Sequence, residues 1–474
     1  SFVRAMYFPL TFFSIHASWC KEGRRALLAM TSWFRFGQIQ NGVLKKSGGR
    51  FALFMCLISQ LASTHTLSQT HLDNLAIEVH GTSREFAFTN KQDAFYYAET
   101  NGLNISSWQG FNVFGHEFLD GYLILVDGKR LDRRKATAVV YPDYLKRIYP
   151  DGITEELRLA DTIPLFSVTI RSNKKPVSVE ILPLVTDGTQ LKDFIIGHRE
   201  HALVLARRTH TKRTPAENFP VWLAVSGTGF EADHEPQTID GRFAPFSLRF
   251  GKSKALTIAF AVADESPIAD SLIQSYLVSK MKHHGQRRQR MEKLLNDSWV
   301  ETENKRFDKA LCWAKLSLDA LIMNQVTKGI FAGLPWFNNY WGRDTFISLP
   351  GATLVTGRFA EAKGILRSFA RYQQTDTASE DYGRIPNIVT TTTKAYNTAD
   401  GTPRFVMMAR EYVERSGDSS FIDEIYDVIQ RATDGTLTRH CDSLGFLTHA
   451  DAETWMDAVG PEGPWSPRGN RAND

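Results

Sequence analysis

From Leu72 to Ala263 apolar and polar positions alternate, and the apolar ones are rich in β-branched and aromatic residues: LAIEVHG, REFAFTN, GYLILVDGKRL, LFSVTIRS, VSVEILPLVTDG, ALVLARR, VWLAVSGTG and ALTIAFAVA. A period of two sends every second side chain to one face of a strand. Turn signals such as VDGK, RSNKKP and VTDG separate the runs. Many short strands at this spacing predict an antiparallel β-sandwich over 72–263, read as a scaffold. Beyond it the period becomes helical. Ser271 to Leu295 carries Leu272, Tyr276, Met281 and Met291 among Lys282, Arg287, Arg288, Arg290 and Lys293, so 267–303 reads as a helical linker whose basic run is a solvated face. A second helix, Phe307 to Met323, sets Leu311, Ala314, Leu318 and Leu321 three and four residues apart. Further helices are predicted over Thr345–Val355, Phe359–Gln373, Phe405–Arg415 and Phe421–Arg431. Helix pairs with chemistry in the loops at one end predict an all-α (α/α)6 toroid over 304–474, of which only about the first half is present.

Ahead of the strands, residues 1–44 hold neither period for long. They are open to two readings, a poorly ordered segment or one outside the mature protein. Residues 45–65 pair Lys45, Lys46 and Arg50 with the apolar run Phe51–Ser63, ending on Ala62 and Ser63. A basic start, a short apolar core and a small-residue end describe a secretory signal peptide, and the run is too short to span a bilayer. The expectation is an exported protein, periplasmic or secreted, with no membrane span in its mature form. The alternative is a buried helix in a cytoplasmic protein.

Composition narrows the classes. At 474 residues, 42% hydrophobic and 23% charged, the chain fits a soluble protein of two or three domains. A net charge of +4, from 56 basic and 52 acidic residues, gives no footprint for nucleic acid. Cys20, Cys56, Cys312 and Cys441 are scattered without a CxxC pair, which suggests neither a zinc site nor a disulfide framework. His440, Cys441 and Asp442 are adjacent and cannot converge on one ion. Gly251–Ser253 is no phosphate loop, because Phe246 stands where that loop requires a glycine.

The richest stretch is GIFAGLPWFNNYWGRD, Gly329 to Asp344. Its aromatic faces suit sugar rings, and an Arg–Asp pair can fix hydroxyls by directional hydrogen bonds. Trp336, Trp341, Arg343 and Asp344 are therefore candidate sugar-binding residues. KAYNTAD (Lys394–Asp400) adds Asn397 and Asp400, the latter just before a helix start that Thr402 could cap and Pro403 open. ETWMDA (Glu453–Ala458) adds Glu453, Trp455 and Asp457. Glycoside hydrolysis needs a protonated acid and a second carboxylate. Asp457 has an apolar setting, with Glu453 one helical turn back, whereas Arg343 is expected to hold Asp344 ionised.

Together these stretches resemble the glucosidase domain of the glycogen-debranching, amylo-alpha-1,6-glucosidase family. The matching segments are AGLPWFNNYWGRDTFISLPG (Ala332–Gly351), GRIPN (Gly383–Asn387), YNTAD (Tyr396–Asp400), TWMDA (Thr454–Ala458) and SPRGNR (Ser466–Arg471). The resemblance is strong from about residue 304 onwards and weak over 72–263. It implies an (α/α)6 barrel behind a β-sandwich and inverting hydrolysis of α-1,6-linked glucose, with an α-glucan or oligosaccharide as substrate. By analogy with related glycosidases it makes Asp457 the general acid, with the other candidates lining a glucose subsite. It calls for no cofactor and no metal. Gly401 and Pro403 depart from the family pattern, so the helix there is expected to start later. The family's base glutamate is expected beyond residue 474, so these residues alone are expected to be inactive and to expose an apolar seam. Two other readings remain open: a toroid glucosidase acting on another linkage such as trehalose, and a non-catalytic sugar-binding protein.

Overall fold

The computed structural model describes residues 72–185, 190–207 and 222–464, together with the backbone of 472–473. The segments 1–44 and 45–65, and with them the export signal, lie outside the described residues, as does SPRGNR at 466–471.

The first region is built of antiparallel sheets of nine, five and four strands. Residues from all three meet in one core, where Phe86, Tyr96, Ile124, Phe166, Val179 and Phe260 are buried together. Alternation explains the faces. Along Ile153–Leu159 the buried positions are Ile153, Glu155, Leu157 and Leu159, and the residues between them are only half-buried. In Ala255–Ala263, Ile258, Phe260 and Val262 point into the core while Ala259 and Ala261 face the other way. Phe260 stacks on its cross-strand partner Phe166 at 4.5 Å between ring centroids, a contact worth about 0.5–1.5 kcal/mol beyond its burial. The small side chains of the opposite face admit a helix, and Ala269, Ile273 and Tyr276 pack there.

That helix is α1, Ser266–Asp297. Five more α-helices follow among the described residues: α2 Lys305–Leu321, α3 Gly342–Ala352, α4 Phe359–Ala370, α5 Gly401–Ser416 and α6 Ser420–Arg439. None of them is long and apolar enough to cross a membrane. α2 starts two residues ahead of Phe307 because the Asn304 side chain accepts from the amides of Arg306 and Phe307. α5 starts at Gly401, not later as expected, since a proline in the first turn has no amide to leave unpaired. α6 runs on to Arg439, well past Arg431. There Gly435 lets the helix touch the Tyr382 loop: a Cβ would meet the Tyr382 carbonyl oxygen at 2.0 Å.

Two expectations need correction. The second region is not all-α, because a five-stranded antiparallel sheet links Ile322–Met323, Gly329–Gly333, Phe337–Trp341, Ile388–Val389 and Lys394–Ala395. Strands of two to five residues are too short to show a period. The basic run of α1 is also not simply solvated. Arg287 is buried and donates to Asp161 Oδ1 (2.5 Å) and to the Thr89 carbonyl (2.9 Å). Arg290 bridges Asp161 (2.6 Å) to Asp319 of α2. Lys91 (3.1 Å) and Arg358 (2.7 Å) close on the same Asp319 carboxylate, which ties the sheets to the helices. The helical core collects Phe346, Leu349, Leu366, Phe369, Phe405 and Phe421, and Phe95 of the sheet region joins it. Ile347, Met407, Tyr426 and Leu437 remain exposed on α3, α5 and α6.

Candidate functional site

The site begins where the hairpin strand Phe337–Trp341 runs straight into α3. Gly342 donates its amide to the Asn387 carbonyl at 2.5 Å. A Cβ on Gly342 would lie 2.4 Å from the Pro386 carbonyl oxygen, so only glycine lets the α3 start sit against the GRIPN loop. Asn387 is fully buried and also accepts the Arg343 amide on Oδ1 (3.2 Å). The backbone under Arg343 is therefore fixed twice from one neighbouring residue.

Arg343 joins three distant stretches. It is only 7% exposed, yet Nη2 donates to Asp457 Oδ2 at 2.5 Å and Nη1 lies 3.9 Å from Asp400 Oδ1. Asp400 is the residue ahead of α5, where Oδ2 accepts from Arg404 (3.0 Å). Thr402 does not cap that helix; its hydroxyl instead accepts the Ile385 amide at 2.9 Å. Asp344 follows Arg343 but is not its ion-pair partner. Partial burial, followed by the like charges of Asp457 and Asp400, raises the Asp344 carboxyl above its ordinary value against the pull of Arg343. Arg343 still pulls the Asp344 carboxyl down, as expected from the sequence, but its guanidinium is directed at the other two aspartates.

ETWMDA is not helical. Residues 451–455 form a turn and bends and 456–457 are irregular, so Glu453 and Asp457 do not share a helix face. Glu453 accepts from Arg384 (3.0 Å) and from the Ala450 amide (2.7 Å), while its carbonyl accepts the Ala399 amide (2.9 Å). Burial acts to raise its carboxyl, but Arg384 and the Ala450 amide prevail and lower it. Glu453 therefore holds the TWMDA segment against the YNTAD segment. Trp336 (56% exposed) and Trp455 (73%) present open faces. Trp341 is half-buried, donates to Asn339 Oδ1 (2.6 Å) and packs edge-on to Phe337. Asn397 is exposed beside Thr398.

Sequence reading missed Arg384, Asn387 and Thr398 as site residues. Arg384 is buried and reaches Asp381, the Tyr396 carbonyl, Glu453 and His440. The signal was the motif GRIPN itself, since a buried arginine and asparagine on a loop require specific partners. Four buried atoms close to this centre have no hydrogen-bond partner among the described residues: Arg343 Nη1, Asn387 Nδ2, Thr398 Oγ1 and Asp400 Oδ1. Each such atom costs about 1–3 kcal/mol if left unmet. They comprise two donors, an acceptor and a hydroxyl that can be either, which is the complement of a sugar's hydroxyl groups. Among the described residues no group of three or more His, Cys, Asp or Glu is placed to hold a metal ion.

Residues 296–473 match the family described as Amylo-alpha-1,6-glucosidase. The Glycogen debranching enzyme of Saccharomyces cerevisiae is 34% identical over 105 residues, which are 21% of this chain and 6% of the yeast protein. The aligned part thus spans only a small fraction of that relative. A bacterial glucoamylase complexed with acarbose aligns over 76% of this chain and 61% of its own, at 10% identity and a TM-score of 0.45. A family GH92 inverting mannosidase from Bacteroides thetaiotaomicron aligns over 83% and 67%, at 13% identity and a TM-score of 0.39.

Proposed function

We propose, from the premise that residues 296–473 form a domain of the amylo-alpha-1,6-glucosidase family, that the Arg343 centre hydrolyses α-1,6-linked glucose at branch points of glycogen or limit dextrin, with inversion. The observation that carries the reading is the convergence of Arg343, Asp400 and Asp457 from three distant stretches, with unmet donors and acceptors around them. In this proposal Arg343, Asp400 and Asn397 bind glucose hydroxyls, and Trp336, Trp341 and Trp455 stack on ring faces. Asp457 serves as general acid, protonating the leaving oxygen. A second carboxylate serves as base for the attacking water, as the family resemblance implies.

A second assignment of the acid has its own support. Asp457 is held as the partner of a guanidinium at 2.5 Å, whereas the Asp344 carboxyl is shifted towards its protonated form. A general acid must carry its proton at working pH. Glucose release from a phosphorylase limit dextrin separates the two, using the protein and its Asp457→Asn and Asp344→Asn variants. Loss of about 10²–10⁴-fold in Asp457→Asn, with a smaller loss in Asp344→Asn, supports Asp457; the opposite order transfers the role to Asp344. β-Glucose as the first product, seen by NMR, supports inversion, and α-glucose rules it out. No release from limit dextrin would defeat the debranching reading, leaving another linkage such as trehalose, or sugar binding alone.

A further inference from the structure

Far along the chain from Arg343, the sheet region holds a polar cavity of about 940 Å³, within the range of about 300–1,000 Å³ typical of small-molecule sites. Its floor follows from the alternation along Ile153–Leu159, which turns one carboxylate, Glu155, to the core side. There Glu155 accepts from the hydroxyls of Tyr122 and Tyr149 and from Arg147, each at 2.6 Å, and from Arg133 at 3.4 Å. Burial works to raise its carboxyl, yet the two arginines and two hydroxyls bring it down to about 2. Tyr122, Tyr149, Arg133 and Glu155 all line the cavity, so its floor is a rigid, already bonded polar surface.

Three observations specify what fits. The charges on the lining balance, because Arg130, Arg133, Arg134 and Arg242 stand against Glu99, Asp132, Glu155 and Asp240. Each of these arginines is also ion-paired, to Asp240, Glu155, Asp132 and Asp120 respectively. An anion would find no free cation, and a cation no free carboxylate at those pairs. Finally, Asn101 lines the cavity at 3% exposure; its Nδ2 donates to the Ala136 carbonyl (2.6 Å), but its Oδ1 has no partner among the described residues. A buried acceptor left in this state calls for a hydroxyl or amide donor.

We infer that this cavity is an accessory binding site for a neutral saccharide, with Asn101 Oδ1 accepting from a ligand hydroxyl. The preformed floor keeps the ordering cost of binding low. The site is separate from the Arg343 centre and does not depend on the reaction assigned there.

The test uses hydrogen–deuterium exchange of the whole protein with maltotriose, and with glucose 1-phosphate as the anionic comparison. Maltotriose should protect amides in 99–105 and 130–134. Gly102→Trp fills the cavity without removing a hydrogen-bonding side chain, because a Cβ at Gly102 meets only Glu99 Cβ, at 4.0 Å. It should weaken that protection at least about fivefold while leaving any protection of 329–344 unchanged, and Asn101→Ala should act in the same direction. Thermal unfolding near the parent's confirms that the variants fold. The inference is overturned if maltotriose protects only segments around Arg343, if Gly102→Trp leaves the sheet-region protection intact, or if glucose 1-phosphate protects and maltotriose does not. Glucose release from limit dextrin is measured in parallel, so a loss of the accessory site and a failure of the hydrolase reading give different results.

Discussion

Replacing Asp319 with Asn removes the one negative charge on which Lys91, Arg290 and Arg358 converge. The Asp319 side chain is 3% exposed, so water does not replace it. Burial alone would raise its carboxyl, but the three cations hold it well below the usual carboxylate range. Its folded value is depressed, so its stabilisation is complete above the unfolded pKa of about 3.9 and is lost only as pH falls through the folded value. At pH 7 the substitution therefore exposes its whole cost. Breaking a buried ion pair from one side costs about 3–5 kcal/mol; the Asn oxygen still accepts one bond, which sets the expectation at about 3 kcal/mol. Lys91 supplies an internal check. Burial, against the pull of Asp319, already brings its ammonium down to about 8. Without Asp319 it drops further, and Lys91→Met in the Asp319→Asn background should recover part of the loss. Urea unfolding at pH 7, followed by tryptophan fluorescence and far-ultraviolet circular dichroism, reads both effects. A loss below about 1 kcal/mol, or no recovery on removing Lys91, would refute the view that this carboxylate holds the sheets to the helices.

Three further expectations follow from the geometry. Gly342→Ala places a methyl 2.4 Å from the Pro386 carbonyl oxygen; it should cost about 1–3 kcal/mol in thermal unfolding and, by shifting Arg343, lower glucose release. Ala261→Leu pushes against α1 on the alanine-lined face of the large sheet and should destabilise by a similar amount, about 1–3 kcal/mol, leaving substrate affinity unchanged. Burial, then Arg158 and Lys280, bring the His284 imidazole down to about 4. The unfolded chain thus binds the extra proton first, stability falls as pH drops from about 6.5 towards 4, and His284→Gln should flatten that slope in pH-dependent unfolding.

The strands were legible because one face of each is buried and a period of two is local information. ALTIAFAVA even encodes both of its neighbours, large residues towards the core and alanines towards α1. The helices were legible in number, while their ends depended on partners outside the periodic stretch: the Asn304 side chain for α2, and the Tyr382 loop met by Gly435 for α6. Arg287 and Arg290 read as a solvated run because Asp161 and Asp319 lie far off in sequence. The same limit governed the candidate site. The motifs singled out Arg343, Asp400 and Asp457, but not that Arg343 turns away from its neighbour Asp344 towards the other two. Glu453 and Asp457 stand four apart, a spacing that suggests one helix face, yet bends between them send Glu453 to Arg384.

In the nine-stranded sheet, Ala255–Ala263 lies between Leu165–Ser172 and Trp222–Gly227, although it is the last of the nine in sequence. A ribosome delivers the chain in the opposite sense, flanks first and centre last. Until residue 263 has left the exit tunnel, Leu165–Ser172 and Trp222–Gly227 each present an unpaired edge to the nascent surroundings. The sheet can close only then, and Ala269, Ile273 and Tyr276, emerging next, cover its outer side within a few more residues. Synthesis thus leaves a long interval in which apolar strands wait for their centre, the stage at which a chaperone has most to protect.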